Sequence, residues 1–167
     1  VSRKLRIGVI GTRAAIGTGT YEKKIKYMDP RAKVLSAPCP LLVPLVEEAW
    51  LKKPETRMIV KKYLHPLKVR QIDTLILGCA HYSLLKKLIQ KKIGNQVTLI
   101  DSSEAVAEKV KRFLEDHPEQ DDLMKTGTCR FFVSDITAHF EQTAKYIFKR
   151  NLKLELAEAR FLSLPKR

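Results

Sequence analysis

Short apolar runs alternate with amphipathic segments of helical periodicity about five times along the 167 residues, and this alternation constrains the fold more than any other feature. Runs of four to six apolar residues between helices are typical of buried parallel strands, which need a crossover helix to reach the next strand. The pattern therefore predicts an α/β fold in which helices cover a parallel sheet. The predicted strands are 6–11, 34–39, 74–77, 96–100 and 129–134.

The charge of the chain is its most unusual compositional property. There are 32 Lys and Arg residues against 18 Asp and Glu, which gives a net charge of +14. Such a surface attracts nucleic acid or small anions. The basic residues are nevertheless spread over several predicted helix faces and are not interleaved with aromatic residues, which favours an ordinary solvated surface and makes a nucleic-acid partner the less favoured interpretation.

Neither a membrane segment nor a secretory signal is predicted. No apolar run approaches the roughly 18 residues of a membrane span, and the basic start, 1–6, leads at once into a strand. The three cysteines, Cys39, Cys79 and Cys129, stand in unrelated contexts and form no disulfide framework. We therefore expect a cytoplasmic protein with free thiols and no membrane partner.

The candidate site lies where the predicted strand 74–77 ends. Gly78 follows the strand, and Cys79 and His81 come directly afterwards. Ligands of open α/β sheets bind at the carboxyl ends of the strands, so a thiol and an imidazole at this position suggest acid–base or nucleophilic chemistry. The alternative is that Cys79 is a small buried apolar residue and His81 an ordinary helix cap. Cys39 and Cys129 have no titratable sequence neighbour and are interpreted as structural.

Three further patterns bear on ligands. The glycines between the first strand and helix do not match a phosphate-binding loop, so the turn beginning at Thr12 suits a small polar ligand better than a nucleotide. Only Cys79 and His81 are spaced as a metal-ligand pair, so no metal is predicted. Glu47 follows a proline-stiffened stretch that is expected to become helical only at about Leu45, and that stretch could aim the carboxylate at His81.

Four segments, in order and at similar spacing, resemble the motifs of the glutamate racemases of the aspartate/glutamate racemase superfamily. The resemblance is specific from about Ile7 to Ser103, weaker to about Phe148 and absent beyond. The segments are Val9-Ile-Gly-Thr12 with Tyr21 downstream, Cys39-Pro-Leu-Leu-Val-Pro-Leu-Val-Glu47, Leu77-Gly-Cys-Ala-His-Tyr-Ser-Leu-Leu85 and Leu99-Ile-Asp-Ser102.

The resemblance implies a cofactor-independent enzyme that interconverts L- and D-glutamate and supplies the D-isomer for bacterial peptidoglycan, and hence for cell-wall biogenesis and cell shape. Two cysteines face opposite sides of the substrate α-carbon in that family, and by motif match Cys79 is one of them. His81 would assist Cys79 and Glu47 would orient His81, while Thr12, Ala80 and His81 would contact glutamate. The resemblance implies no metal or cofactor and leaves a homodimer open.

Three departures from the family pattern are present. Ala80 stands where the family usually has Thr, and Ser83 where it usually has Pro. The segment that carries the first catalytic cysteine, followed by Asn-Thr, has no counterpart. We therefore expect a C-terminal portion of a racemase that is inactive alone, with 1–100 as the second α/β domain, 101–150 as a returning segment of an incomplete first domain, and 151–167 as a tail containing a peripheral helix.

The expected incompleteness has a structural corollary, since the strand 129–134 would lack neighbours and expose an apolar edge. Two other functions remain as alternatives. One is a racemase for aspartate or another acidic amino acid. The other is a catalytically dead basic α/β module that binds nucleic acid or a protein partner.

Overall fold

The computed structural model describes residues 2–120 and 129–157, which fall into two compact units, Val1–Phe113 and Leu114–Arg167. The predicted tail beyond residue 157 lies outside the described residues. The elements are β1 (Arg6–Gly11), α1 (Arg13–Gly17), α2 (Thr20–Met28), β2 (Lys33–Pro38), α3 (Leu42–Glu47), α4 (Pro54–Val69), β3 (Thr74–Leu77), a 3₁₀ helix (Ala80–Leu85), α5 (Lys86–Ile93), β4 (Thr98–Asp101), α6 (Ser102–Asp116), β5 (Phe131–Val133), α7 (Ala138–Phe148) and β6 (Leu154–Leu156).

A four-stranded parallel sheet in the order β2-β1-β3-β4 forms the centre of the first unit. This confirms the α/β class predicted from the alternation of strands and helices. The chain passes from β1 to β2 on one side and then returns to β3 on the other side of β1. The strand order therefore reverses between β1 and β3, and in open α/β sheets a crevice for ligands opens at the carboxyl ends of two such strands.

The core of the first unit is built on the two central strands. Val9, Ile10, Leu75 and Leu77 are completely buried, because both faces of β1 and β3 are covered. Gly8 is required by this packing, since a Cβ there would lie 2.6 Å from the Cδ1 of Ile72. The helices contribute the buried side chains of Val60, Leu64, Leu67, Leu85, Ile89 and Ile93.

Two helix starts illustrate how prolines act in this fold. Pro54 is the first residue of α4, a position that proline tolerates because a first-turn residue needs no amide hydrogen bond. The prediction that helix begins only at about Leu45 was wrong, since α3 begins at Leu42. Pro44 is the third residue of α3, and its missing N–H is one of those that have no intrahelical partner anyway.

The second unit differs from the prediction in two respects. The strand β5 does not lack a neighbour, because it pairs in parallel with β6, with Phe131 opposite Leu154. Residues 154–156 thus form a strand where a peripheral helix was expected. The predicted exposed apolar character remains, since the side chain of Phe132 is 54% exposed.

The helix α6 is amphipathic but buries none of its residues. The side chains of Val106 and Val110, one turn apart, are 62% and 50% exposed. No helix within residues 2–120 and 129–157 is long and apolar enough to cross a membrane.

Candidate active site

The site is built where β1 and β3 end side by side. Ile10 pairs with Leu77, and the amide of Gly78 donates a hydrogen bond to the carbonyl of Ile10 at 2.8 Å. The next residues, Thr12 on one side and Cys79 on the other, therefore follow the two strands that flank the crevice. The structure places the thiol at the edge of the sheet where the sequence predicted chemistry.

Gly78 makes the turn out of β3 possible. A Cβ on this residue would lie 3.0 Å from the carbonyl oxygen of Ile10 and 3.1 Å from the ring of Tyr21. Either contact is tighter than almost any real Cβ makes, so a larger residue would displace Tyr21 or part the two strands. The absence of a side chain lets the chain pass beneath Tyr21 and deliver Cys79 to the rim of the crevice.

Cys79, His81 and Glu47 form a line of thiol, imidazole and carboxylate. The Cys79 Sγ lies 3.8 Å from His81 Nδ1, and His81 Nε2 lies 3.4 Å from Glu47 Oε1. A carboxylate on one ring nitrogen favours the tautomer whose other nitrogen faces the thiol as an acceptor. The arrangement therefore allows a proton to pass between the Cys79 thiol and the His81 ring.

This geometry bears on the two interpretations of the Cys-His pair. Cys79 is half-buried at the margin of the core, and it is Cys79 rather than His81 that occupies the N-cap position of the 3₁₀ helix. The side chains of His81 and Glu47 are 42% and 52% exposed, which leaves the imidazole accessible to a ligand. The structure thus brings together the three residues that the sequence nominated as catalytic.

Tyr82 anchors the 3₁₀ helix to the end of β2 and was not singled out in the sequence. Its ring is completely buried, and its hydroxyl donates a hydrogen bond to the main-chain carbonyl of Cys39 at 2.9 Å. Burial raises the pKa of the Tyr82 hydroxyl well above its ordinary value, so it remains a donor. The bond joins the segment that carries His81 to the segment that leads into α3 and Glu47. Its only sequence signal was an aromatic residue next to His81.

A second anchor holds the other side of the same 3₁₀ helix. The Ser83 hydroxyl donates to Asp101 Oδ1 at 2.7 Å, and the same oxygen accepts the amide of Ser103 at 3.0 Å. Asp101 is 4% exposed, so these bonds offset the cost of burying its carboxylate. The bond between Asp101 and Ser83 was not predicted from the sequence. A proline at position 83 could not make this bond.

Cys39 lies at the same edge of the sheet but cannot act as an acid or base at neutral pH. It is completely buried, and burial raises the pKa of its thiol to about 12. Its Sγ is 3.6 Å from the carbonyl oxygen of Ala37. The interpretation of Cys39 as a structural thiol is therefore confirmed, whereas Cys129 is exposed and lies two residues before β5.

The residues predicted to bind substrate occupy different positions at the edge. The Thr12 hydroxyl accepts the amide of Ala15 at 3.1 Å as the N-cap of α1, and its proton stays available to a ligand. Ala80 is exposed at the start of the 3₁₀ helix and offers only a methyl group. No group of three or more His, Cys, Asp or Glu residues in the described part of the chain is arranged to hold a metal ion.

At its switch point the parallel sheet thus carries a thiol, an imidazole and a carboxylate. The model of the Asp/Glu/Hydantoin racemase family matches residues 2–110, and the chain belongs to this family. It is 38% identical over 151 residues to a glutamate racemase of Syntrophus aciditrophicus. The alignment covers 90% of this chain and 56% of that protein.

Two solved structures agree with this assignment. The glutamate racemase isoform RacE1 of Bacillus anthracis superposes with a TM-score of 0.83 at 33% identity, covering 95% of this chain and 59% of that one. The glutamate racemase of Francisella tularensis, solved in complex with D-glutamate, gives a TM-score of 0.77 at 29% identity, covering 92% and 57%. The chain thus spans little more than half the length of the relatives it matches.

Proposed function

We propose that this chain supplies one half of the active site of a cofactor-independent glutamate racemase, with Cys79 as one of two proton-transferring thiols. The observation that carries the proposal is the line from Cys79 through His81 to Glu47 at the β1/β3 switch point of a racemase-family domain. The product, D-glutamate, would serve peptidoglycan synthesis in the cytoplasm. The free state of all three cysteines supports a reducing compartment.

The proposed mechanism is a two-base proton exchange at the substrate α-carbon. His81 first accepts the Cys79 proton through Nδ1, and the resulting thiolate takes the α-proton, which leaves a carbanion and restores the thiol. A second acid then donates a proton to the opposite face, which inverts the stereocentre. In the reverse direction Cys79 donates and the other group abstracts. Glu47 takes no proton and holds the imidazole ring in its working orientation.

The second thiol of this mechanism is not among the cysteines of the chain. Cys39 is excluded because it is completely buried with a thiol pKa of about 12. By the family resemblance the partner cysteine is followed by Asn-Thr, whereas Cys39 is followed by Pro40 and Cys129 by Arg130. We infer that the partner thiol belongs to the part of the racemase fold that has no counterpart here.

The domain assignment forms part of the same proposal. Residues 1–100 would be the second α/β domain, and 101–150 the segment that returns to the first domain, followed by a tail. The exposed apolar side chains of Val106 and Val110 on α6 support this assignment, because the apolar face of an amphipathic helix normally packs against another element. A homodimer of the completed enzyme is compatible with this assignment.

Glutamate is the proposed substrate because the relatives named above are glutamate racemases and the Francisella tularensis enzyme was solved with D-glutamate. Ala80 removes one hydroxyl that the family usually offers, so other acidic amino acids such as aspartate remain the competing substrate class. A polar contact to the substrate is worth about 1–3 kcal/mol when its partner is left unpaired. Comparing the turnover rates of glutamate and aspartate therefore distinguishes between the two proposed substrate classes.

A chimera tests the proposal directly. This chain replaces the matching segment of the Bacillus anthracis RacE1 isoform, and incorporation of solvent deuterium at the α-carbon is followed by NMR from each enantiomer. We expect the chimera to racemise glutamate, the Cys79→Ser variant to lose at least about a thousandfold in rate, and the 167-residue chain alone to be inactive. A matched Cys129→Ser variant should keep its rate. Equal rates for the two variants would contradict the role of Cys79.

A further inference from the structure

A group of depressions lined by lysine side chains lies at the opposite edge of the sheet from Cys79. A depression of about 950 Å³ opens at the amino ends of β1, β3 and β4, and a second of about 550 Å³ lies along α4 and α5. A third, of about 750 Å³, follows α5 towards Glu104. Lys68 lines the first two and Lys91 the last two, so the three depressions adjoin one another, and together we call them the amino-edge groove. Its principal cations are Lys4, Lys61, Lys68, Lys87, Lys91 and Lys92.

The cations of the amino-edge groove are not neutralised by neighbours within residues 2–120 and 129–157. Two carboxylates line the groove, against eight Lys and Arg side chains. Asp73 accepts the Ser2 hydroxyl at 2.6 Å and the amide of Lys4, while Glu104 pairs with Lys86. None of the six principal lysines forms an ion pair with a described residue. The groove therefore carries a concentrated positive potential.

The fold, and not the sequence order, creates this concentration. Lys61 and Lys68 are seven residues apart on one face of α4, and α4 packs against α5, which carries Lys91 and Lys92. Lysines on two helices therefore line the same depression. Like charges gathered in this way repel one another and destabilise the folded chain unless an anion offsets them. In the sequence the same lysines looked like residues scattered on solvated faces.

The shape and chemistry of the groove select the kind of anion. A groove that extends over three adjoining depressions fits a linear polyanion. Binding at a bilayer surface requires a face with apolar side chains that can enter the lipid, and among the described residues that line the groove only one large apolar side chain, Val69, is exposed. Lysine contacts phosphate as a point charge without directional pairing. No Phe, Tyr or Trp is found among these lining residues, so the imidazole of His65 is the only ring on which an unpaired base could stack.

We propose that the amino-edge groove binds the phosphodiester backbone of double-stranded nucleic acid independently of base sequence. This activity is separate from racemisation, because the groove and Cys79 lie at opposite edges of the same sheet. Each lysine that neutralises a phosphate releases condensed counterions. The affinity for a duplex therefore falls linearly with salt on logarithmic axes, with a slope of about −0.9 for each phosphate contacted.

The experiment measures binding of the 167-residue chain to a fluorescent 20-base-pair duplex of arbitrary sequence by anisotropy, between 50 and 200 mM KCl. The test variant carries Lys→Gln at Lys61, Lys68, Lys91 and Lys92. The matched control carries Lys→Gln at Lys23, Lys24, Lys52 and Lys53, which are exposed and outside the groove, so that both variants lose four charges. Circular dichroism establishes that both remain folded.

The proposal predicts that the groove variant loses at least about tenfold in affinity at 100 mM KCl and about three units of salt slope, while the control loses less than about threefold. A second duplex of unrelated sequence should bind equally well. Equal losses in the two variants would overturn the proposal, because they would show that net charge alone attracts the duplex. Salt-insensitive binding, or binding of anionic vesicles without binding of the duplex, would overturn it as well.

Discussion

Two cysteines follow parallel strands at the same edge of one sheet, yet their environments are opposite. Cys39 follows β2, is completely buried and has a thiol pKa of about 12. Cys79 follows β3 after one glycine, is half-buried and lies 3.8 Å from an imidazole nitrogen. A position at the carboxyl edge of a sheet is thus insufficient to make a reactive thiol. What differs is the path that the chain takes immediately afterwards.

The path after each strand explains the difference. The amide of Cys39 donates to the carbonyl of Gly11 at 2.8 Å, which continues the sheet and draws the residue under α3, where Leu42 and Leu45 close the core. After β3, Gly78 permits a sharp turn into the 3₁₀ helix, which raises the next residue to the rim. Cys39 therefore stabilises the domain, whereas Cys79 is available for chemistry.

The largest expected difference between the two thiols is in their rates of alkylation. In a Cys129→Ser background, iodoacetamide at pH 8 should modify Cys79 at least about a hundredfold faster than Cys39, because only the thiolate reacts and burial keeps Cys39 protonated. Peptide mass spectrometry over time gives both rates in one sample. Comparable rates would show that Cys39 is not confined to the core.

The Tyr82→Phe substitution tests the bond that ties the two strand ends together. Removing the hydroxyl leaves the buried carbonyl of Cys39 without its side-chain donor, and we expect a loss of about 1–3 kcal/mol in the free energy of unfolding. Urea denaturation measures this loss. The control is Tyr27→Phe, whose ring is 91% exposed and which should change stability by less than about 0.5 kcal/mol. A neutral Tyr82→Phe variant would show that the bond is dispensable.

The pKa of Cys39 also predicts how stability depends on pH. A thiol ordinarily ionises near about 8.5, so above that pH the unfolded chain loses the Cys39 proton while the folded chain keeps it until about pH 12. Its contribution to stability is present in full below about pH 8.5 and declines above it by up to about 1.4 kcal/mol per pH unit. Urea denaturation between pH 8 and 10.5 should show a shallower decline for Cys39→Ala than for Cys79→Ala.

The smallest effect is expected at Glu47, the outermost of the three residues Cys79, His81 and Glu47. Glu47 and His81 are both about half exposed, so the ion pair between them is screened by water and contributes less than about 1 kcal/mol to stability. Glu47→Gln should therefore change the pH–rate profile of Cys79 alkylation measurably, though by less than about fivefold, and change the free energy of unfolding by less than about 1 kcal/mol. The neighbouring Glu48→Gln serves as the control and should change neither. A profile indistinguishable from that of Glu48→Gln would remove Glu47 from the site.

The sequence was sufficient for features that depend on local pattern. The alternation of strands and helices predicted the parallel sheet, and the end of the apolar run 75–77 located Cys79 and His81 correctly. The family resemblance paired His81 with Glu47, a contact across more than thirty residues that periodicity could not supply.

Features that depend on contacts between distant segments were missed. The bonds from Tyr82 to Cys39 and from Ser83 to Asp101 join residues 43 and 18 positions apart, and neither leaves a periodic signal. The amino-edge groove depends on the packing of α4 against α5, so its lysines looked scattered in the sequence. The strand β6 was missed because Leu154–Leu156 is too short to show alternation and is held by its pairing with β5.

The order of the strands along the chain has a consequence for biosynthesis. All four strands of the main sheet are present once Asp101 has been synthesised, and the described residues after Asp101 add no strand to it. At about 5–20 residues per second, translation of the segment 102–157 takes about 3 to 11 s, whereas domains of mixed α/β topology commonly fold in milliseconds to seconds. The sheet can therefore form while that segment is being synthesised, with Cys39 already shielded from oxidants and the Cys79 rim assembled.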